Sequence, residues 1–421
     1  MMSLRHWPAV LVLALLPAVR AAAPPLDLAG AERELLAGHP RALAAAEELA
    51  RARSAAWAGW SGLLPRADLS SNWTRYEAVP AGGVWREDDE TQRHVLALSQ
   101  PLFAGGRLAA GAAAGSAGLK AARERHRAAL AQLVYDLRAA WVDWLAAREL
   151  LQIAQAGEEF AQRQLQRALQ QEEQGVASRI DRLFIENSLA LAGLQREDAL
   201  TTELTARLRL EALLRTELSS EAELEDLARL LAGLGAPPAE AGEASPELAS
   251  LRWDMRQAAW QGVATAGSLW PTLSAGLTWS NEGSDPFTYD SRHTTRTVGL
   301  SLSWNIFRGG ANSLASLGAL ATARRARHLL DAGELGLHVE QETLGRQEEA
   351  QRRKLELAER SRAISRENLG LLEQKYGLGM VPVTDLLQGE QNLRGAHGGL
   401  VQAQSALLKA HWSRERLAGR W

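Results

Sequence analysis

Between Val298 and Ile306 the chain alternates strictly: Val298, Leu300, Leu302, Trp304 and Ile306 are apolar, and Gly299, Ser301, Ser303 and Asn305 between them are small or polar. A period of two marks a strand with one greasy face and one wet face. Leu273, Ala275, Leu277 and Trp279 alternate in the same way with Ser274, Gly276, Thr278 and Ser280, and residues 281–292 between the two runs are rich in turn formers. Together they predict a β-hairpin. A fainter version lies upstream, with Leu69 and Trp73 in one strand and Leu96, Leu98 and Leu102 in its return, around a polar tip of Arg86, Glu87, Asp88, Asp89 and Glu90. That charged run reads as a solvated loop tip.

After Gly106 the period changes. Leu130, Leu133, Leu137, Trp141 and Trp144 step by three and four residues, the stripe of an amphipathic helix. No proline interrupts the 72 residues from Phe103 to Gly175 or the 72 from Phe307 to Gly379. A helix of that length would extend about 108 Å at 1.5 Å per residue. Such lengths belong to coiled coils or helical tubes, not to ordinary globular domains.

These elements occur twice. Pro40 and Pro246 each open an Ala-rich helical segment, and Pro65 and Pro271 follow 25 residues later in each case. Pro101, Leu102, Phe103, Ala104, Gly105, Gly106 and Arg107 are echoed by Asn305, Ile306, Phe307, Arg308, Gly309 and Gly310; Gly175 with Asp181 is echoed by Gly379 with Asp385. Glu186, Leu189 and Ala192 recur as Glu390, Leu393 and Ala396. The offset is 206 before the hairpins and 204 after them, so the first copy has two extra residues in its hairpin, where loops vary most. The expected organisation is a signal peptide at 1–22, a first repeat at 23–231, a linker at 232–246 and a second repeat at 247–421. The first repeat would hold a helix, a hairpin at about 65–103, a long helix at about 105–174 and a return helix at about 178–218. The second would repeat this with a hairpin at about 271–307 and helices at about 309–378 and 382–417, both repeats forming one intertwined domain. The Gly, Ala, Pro and Glu content of 231–246 supports the linker.

The first residues add a compartment. Arg5 and His6 precede an apolar stretch from Trp7 to Leu16, and Ala21, Ala22 and Ala23 supply a small-residue cleavage region, the pattern of a secretory signal peptide. Beyond it nothing approaches the roughly 18 consecutive apolar residues of a membrane helix, so any membrane crossing must use strands. Four strands cannot close a barrel alone, since small closed barrels need about eight, and lipid does not tolerate open edges. A symmetric oligomer sharing one barrel is expected: two copies give eight strands, three give twelve. A formal charge of -3 gives no sign of a nucleic-acid partner. Cysteine is absent, and the nine histidines show no metal-ligand spacing. Neither a phosphate loop nor a nucleophile motif occurs, so no cofactor, metal or enzymatic activity is expected.

The duplicated set, from Pro65 with its strand through the Pro101 to Arg107 run, Gly175 to Asp181, Pro271 with its strand, Leu302 to Gly310, and Tyr376 to Asp385, resembles the TolC-like outer-membrane factor family over essentially the whole mature chain. The resemblance implies a mixed, mainly α fold: a homotrimer with a 12-stranded barrel in outer-membrane lipid, continued by an α-helical barrel in the periplasm. It also implies a passive exit duct for tripartite efflux or type I secretion, docked to a periplasmic adaptor (membrane fusion protein) coupled to an inner-membrane pump of RND, ABC or MFS type. Gly175, Val176, Gly379 and Met380, where the long helices turn back, become candidate adaptor contacts; the glycines also read as helix-terminating residues in left-handed geometry. Asp181, Asp385 and Tyr376 become candidates for the periplasmic entrance, although an aspartate in a first helical turn also complements the helix dipole. Val381 stands where founding-type members carry an arginine, so an ionic lock of that kind is not expected. Leu277, Trp279, Val298, Leu300, Leu302 and Trp304 are lipid-facing candidates, and Trp73, Trp270, Trp279 and Trp304 could form an interfacial belt. The competing expectations are a non-transporting periplasmic coiled-coil scaffold, which leaves the four alternating strands unexplained, and the adaptor itself, which would not be duplicated in this way.

Overall fold

The computed structural model describes residues 27–76, 89–174, 178–219, 226–235, 245–283 and 294–420. The signal peptide, Glu87 and Asp88 of the acidic tip, most of the linker, Gly175 and Val176 lie outside these residues. In chain order the elements are α1 (Leu28–Gly38), α2 (Pro40–Ser61), β1 (Arg66–Tyr76), β2 (Asp89–Ala104), α3 (Arg107–Glu173), α4 (Arg179–Leu214), α5 (Leu227–Ala232), α6 (Pro246–Ala266), β3 (Thr272–Gly283), β4 (Thr294–Ser303), α7 (Ala311–Gly377) and α8 (Val383–Leu417).

The set α2, β1, β2, α3, α4 recurs as α6, β3, β4, α7, α8. Both long helices have 67 residues, about 100 Å at 1.5 Å per residue. In each copy the two shorter helices lie along the long one, and α3 also packs against α6 and α8 of the other copy. Near the sheet this packing uses small residues: Ala110, Ala112, Ala114, Ala117 and Ala121 of α3 are buried, and a Cβ on Gly115 would come within 3.1 Å of Ala56 Cα. Farther along, Leu133, Leu137, Trp141 and Trp144 form a core with Leu35, Leu210, Leu227, Leu408 and Trp412. α7 is the opposite case. Of its described residues only Glu348 and Leu369 are buried, and Leu314, Leu317, Leu335, Val339, Leu357 and Ile364 face outward. One long helix is therefore internal to the helical layer, and the other forms its edge.

Glu348 carries an ionic cluster in that layer. It is 2% exposed, accepts hydrogen bonds from Arg352 and Arg414, each at 2.7 Å, and lies 3.3 Å from His411 Nδ1. Burial opposes its negative charge, but the bonds from Arg352, Arg414 and His411 prevail and hold the carboxyl below the ordinary range. At the matching position of the first copy, 204 residues earlier, stands Trp144, fully buried with its indole N–H donating to Glu203 at 2.7 Å.

The four strands form one antiparallel sheet in the order β1-β2-β3-β4, so β1 and β4 are its edges. Leu69 lies opposite Leu96, and its counterpart Ala275 lies opposite Leu300: the two hairpins share one register. β4 ends at Ser303 rather than continuing to Ile306 as its alternation predicts. β2 runs on to Ala104 because β3 pairs with it there; the residues after Ser303 are at the free edge, where among the described residues no strand pairs with their backbone. Each hairpin enters its long helix through two glycines in the left-handed region, Gly105 and Gly106 at φ 60° and 77°, Gly309 and Gly310 at φ 60° and 80°. Only glycine adopts two such conformations in succession without strain.

Candidate functional site

Register converts the alternating residues into faces. Ala67, Leu98, Leu277 and Val298 form one cross-sheet row, Leu69, Leu96, Trp279 and Arg296 the next, with Arg296 placing a charge toward the tip side of this face, and Phe103, Leu273 and Leu302 a third. Since residues at intervals of two share a face, Leu300 joins them. Val298, Leu300 and Leu302 are 82%, 73% and 68% exposed, and Leu277 is also exposed; Trp279 is half-buried. The opposite face carries Ser70, Asn72, Thr74, Ser99, Ser274, Thr278, Thr297 and Ser301. A contiguous apolar patch of this extent has no place in water. At the helix end of the sheet Trp270 and Trp304 are exposed, with the Trp304 indole donating to the Leu269 carbonyl at 3.1 Å. Trp73 and Trp279 lie toward the hairpin tips. Tryptophans at both ends of an apolar band suit the two polar boundaries of a bilayer.

The other end of the molecule is built by helix termini. Past α7, the Gly379 N–H donates to the Tyr376 carbonyl and the Met380 N–H to the Lys375 carbonyl, both at 2.9 Å, with Gly379 at φ 73°. This is a Schellman closure, and its left-handed position accounts for the glycine. Leu378 and Met380 on the turn are 75% and 69% exposed. α4 begins with a capping box: the Ser178 hydroxyl accepts from the Asp181 N–H at 3.2 Å and donates to Asp181 Oδ2 at 3.0 Å, while the same carboxylate accepts from the Ser178 N–H at 3.4 Å. Asp181 is thus tied into the start of its helix. Tyr376 packs beside the cluster of Phe160, Ala168, Ile185, Leu369, Val383, Leu386 and Leu387. Burial, and then the Asp181 carboxylate, push its phenol up, against a smaller opposing effect of Arg167. The structure therefore brings Tyr376 and Asp181 into one neighbourhood. Asp385 sits exposed in the first turn of α8, and among the described residues no hydrogen bond joins it to either. Val381 is half-buried.

Two ionic contacts near this end were not anticipated from the sequence. Arg182 bridges Glu172 and Glu186, each at 2.8 Å. Arg394 donates to Glu390 and to Gln195, both at 2.8 Å, and passes over Gly157, where a Cβ would lie 2.6 Å from it. Glu390 is buried enough that its carboxyl is pushed up, with Arg394 offsetting part of the effect. A signal existed: the glutamates repeat at an offset of 204, each with an arginine four residues away, but on opposite sides in the two copies. Among the described residues, no group of three or more His, Asp and Glu is placed to hold a metal ion, and no helix is long and apolar enough to cross a membrane. The latter has no bearing on the sheet.

Known proteins with these features agree. The outer membrane efflux protein family matches residues 32–215 and 238–420, one segment per repeat. The alkaline protease secretion protein AprF of Pseudomonas aeruginosa is 28% identical over 409 residues, covering 90% of this chain and 82% of AprF. Among solved structures, the outer membrane protein VceC of Vibrio cholerae superposes with a TM-score of 0.82 at 15% identity, covering 93% of this chain and 96% of VceC. The open state of the MtrE outer membrane channel of Neisseria gonorrhoeae gives 0.82 at 17% identity, covering 93% and 89%. With both repeats matched and the hairpin-and-long-helix fold reproduced, the chain belongs to the TolC-like outer membrane efflux protein family, which makes it an outer-membrane transport channel and not an enzyme.

Proposed function

We propose that this protein is the exit duct of a tripartite export machine, working as a homotrimer whose three sheets close a 12-stranded barrel and whose helices form a periplasmic tunnel. The observation that carries this reading is the sheet itself: an apolar face of Leu69, Leu96, Leu98, Leu277, Val298, Leu300 and Leu302 on a sheet with two unpaired edges. In hydrocarbon such edges are untenable until other copies pair with them. The Ser and Thr face would then line a wet lumen. At the far end, the turn carrying Leu378, Gly379 and Met380 offers exposed apolar and glycine backbone contacts to a periplasmic adaptor, which couples the duct to an inner-membrane pump; Gly175 and Val176, its sequence counterparts in the first repeat, are the other candidates for that contact. The kinship to a protein named for secretion of a protease favours a polypeptide cargo over small-molecule efflux. After removal of residues 1–22 the protein is expected in the outer membrane, extracted by mild detergent as a complex of three chains; recovery of a soluble monomer would sink the proposal.

The entrance reading is separable. Repeated three times, Asp181 and Asp385 would place six carboxylates near the tunnel mouth, where they favour cations. Asp181 also holds a capping box, so the informative change is Asp181→Asn with Asp385→Asn, which keeps an acceptor at the cap and removes the charge. Single-channel recording in planar bilayers should show reduced cation preference with little change in conductance. A several-fold rise in conductance at unchanged selectivity would mean that the aspartates lock the mouth closed.

A further inference from the structure

Each repeat has a junction where its last helix ends beside the start of its first, and the two junctions are filled differently. In the second repeat the end of α8 meets the start of α6 next to α7, so that a Cβ on Gly419 would come within 2.4 Å of Pro246. Arg416 reaches into this junction, donating to Glu340 at 2.9 Å and to Gln132 at 3.1 Å, with Glu247 3.7 Å away. Leu344 packs there against Leu417 and Ala418. In the first repeat the end of α4 meets the start of α2 next to α3, with Arg215 donating to the Gly38 carbonyl at 3.5 Å. The residues 204 places before Leu344 and Arg416 are Ala140 and Ala212. With both side chains cut back, a cavity of about 450 Å³ opens, and Ala140, Ala212 and Leu213 line part of it.

The charge around this space is inverted as well. Where the second repeat carries Ser245, Glu247 and Ser413, the first carries His39, Arg41 and Arg209, and all three line the cavity. Two carboxylates line it too, but both are engaged: Asp136 accepts from Gln132 at 2.7 Å and pairs with Arg41 at 3.4 Å, and Asp143 pairs with Lys409. Arg209 is exposed, and among the described residues no carboxylate lies within ion-pair distance of it. His39 is 9% exposed. Burial, then the charges of Arg41 and Arg215, hold its imidazole below the ordinary range. Its Nδ1 accepts from the Arg41 backbone N–H at 3.1 Å, which assigns the proton of the neutral ring to Nε2 as a donor.

We propose that this cavity binds an organic carboxylate, its head held by Arg209, Arg41 and the His39 imidazole and its apolar body resting on Ala140, Ala212 and Leu213. The second repeat supplies the precedent: there the chain fills the matching junction with its own guanidinium among acceptors, and here it leaves the space open and presents donors. Guanidinium groups match the planar carboxylate with paired hydrogen bonds. The small apolar floor offers no partners to the further oxygens of a phosphate, whereas an organic body gains by leaving water there. A cation would meet the uncommitted charge of Arg209. The site is complete within one chain, so it goes beyond the duct reading and is tested apart from it.

Calorimetric titration of the full-length protein in mild detergent with benzoate, benzylamine and inorganic phosphate tests this. Benzoate should bind saturably, one per chain, while benzylamine gives no saturable heat and phosphate binds more weakly. Arg209→Ala changes an exposed residue and should weaken benzoate about tenfold or more, the loss of a charge-assisted hydrogen bond; Arg209→Lys should recover part of the affinity. Ala140→Leu installs the residue of the second repeat and should abolish binding without changing the native mass. Absence of saturable benzoate binding, or binding unmoved by Arg209→Ala, would overturn the site. Preference for benzylamine would overturn its sign, and phosphate binding as tightly as benzoate would overturn the assignment to an organic ligand.

Discussion

Two buried glutamates respond oppositely to acid. Glu348 has its carboxyl held below the ordinary value, so its contribution to stability is complete above about pH 4.3 and is lost as the pH falls through the folded value. Glu390 has its carboxyl pushed up, so its ionised form is a burden above the raised value, and acidification toward about pH 4.3 relieves it. Hydrogen exchange should therefore show the middle of α7 losing protection on acidification while the first turns of α8 hold or gain it, and Glu390→Gln should abolish the gain. Glu348→Ala leaves Arg414 and His411 facing an empty carboxylate site and should cost about 3 kcal/mol, read as a lower thermal midpoint. Neither glutamate was legible as buried: each is one charge among many on a charged helix. What sets Glu348 apart is the approach of α8, a tertiary fact with no local trace. Asp181 was legible in part, since an aspartate in a first helical turn reads as a helix-terminus residue complementing the dipole as much as a pore residue. The capping box shows that the first role is filled; the second belongs to the proposed ring.

The elements were far more legible than their partners. Strict alternation exposes β3 and β4 because one face meets an apolar medium and the other water, and proline-free stretches mark the two long helices. α1 and α5 were missed. At 11 and 6 residues they are short, and their apolar residues make sense only against the core they cover, Leu35 and Leu227 lying in the cluster around Trp141. The glycine corners permit a prediction at this scale. Both are left-handed, but a Cβ at Gly105 would collide with the Gly267 carbonyl and with Trp270, whereas at Gly309 it meets nothing within 4 Å in the single chain. Gly309→Ala should therefore cost only the backbone strain, about 1–2 kcal/mol, in the isolated monomer, and distinctly more in the proposed ring if a neighbouring copy meets that open corner as Gly267 and Trp270 meet Gly105. Unfolding measured on dissociated and on associated protein separates the two. Gly379→Ala should carry the strain in both states, because its position closes a helix within the chain.

For the molecule as a whole, the two faces of the sheet demand different solvents. Leu277→Arg would place a charge on the apolar face and should destabilise the inserted barrel by about 2–4 kcal/mol at mid-bilayer, seen as reduced assembly in the outer membrane. Thr278→Arg, one residue on, should assemble normally and shift ion selectivity toward anions. The duplication has a different kind of consequence. A ring made from six identical half-length chains would have to repeat every side chain six times, and a change made in one place would be made in all. Here the position filled by Trp144 in one repeat is filled by Glu348 in the other. The wall of the tunnel would thus alternate three greasy anchors with three ionic ones at one height. Joining two repeats in one chain releases them from each other: one can keep the wall rigid while the other drifts toward acid sensitivity or a new cargo, and a single substitution reaches only half the circumference.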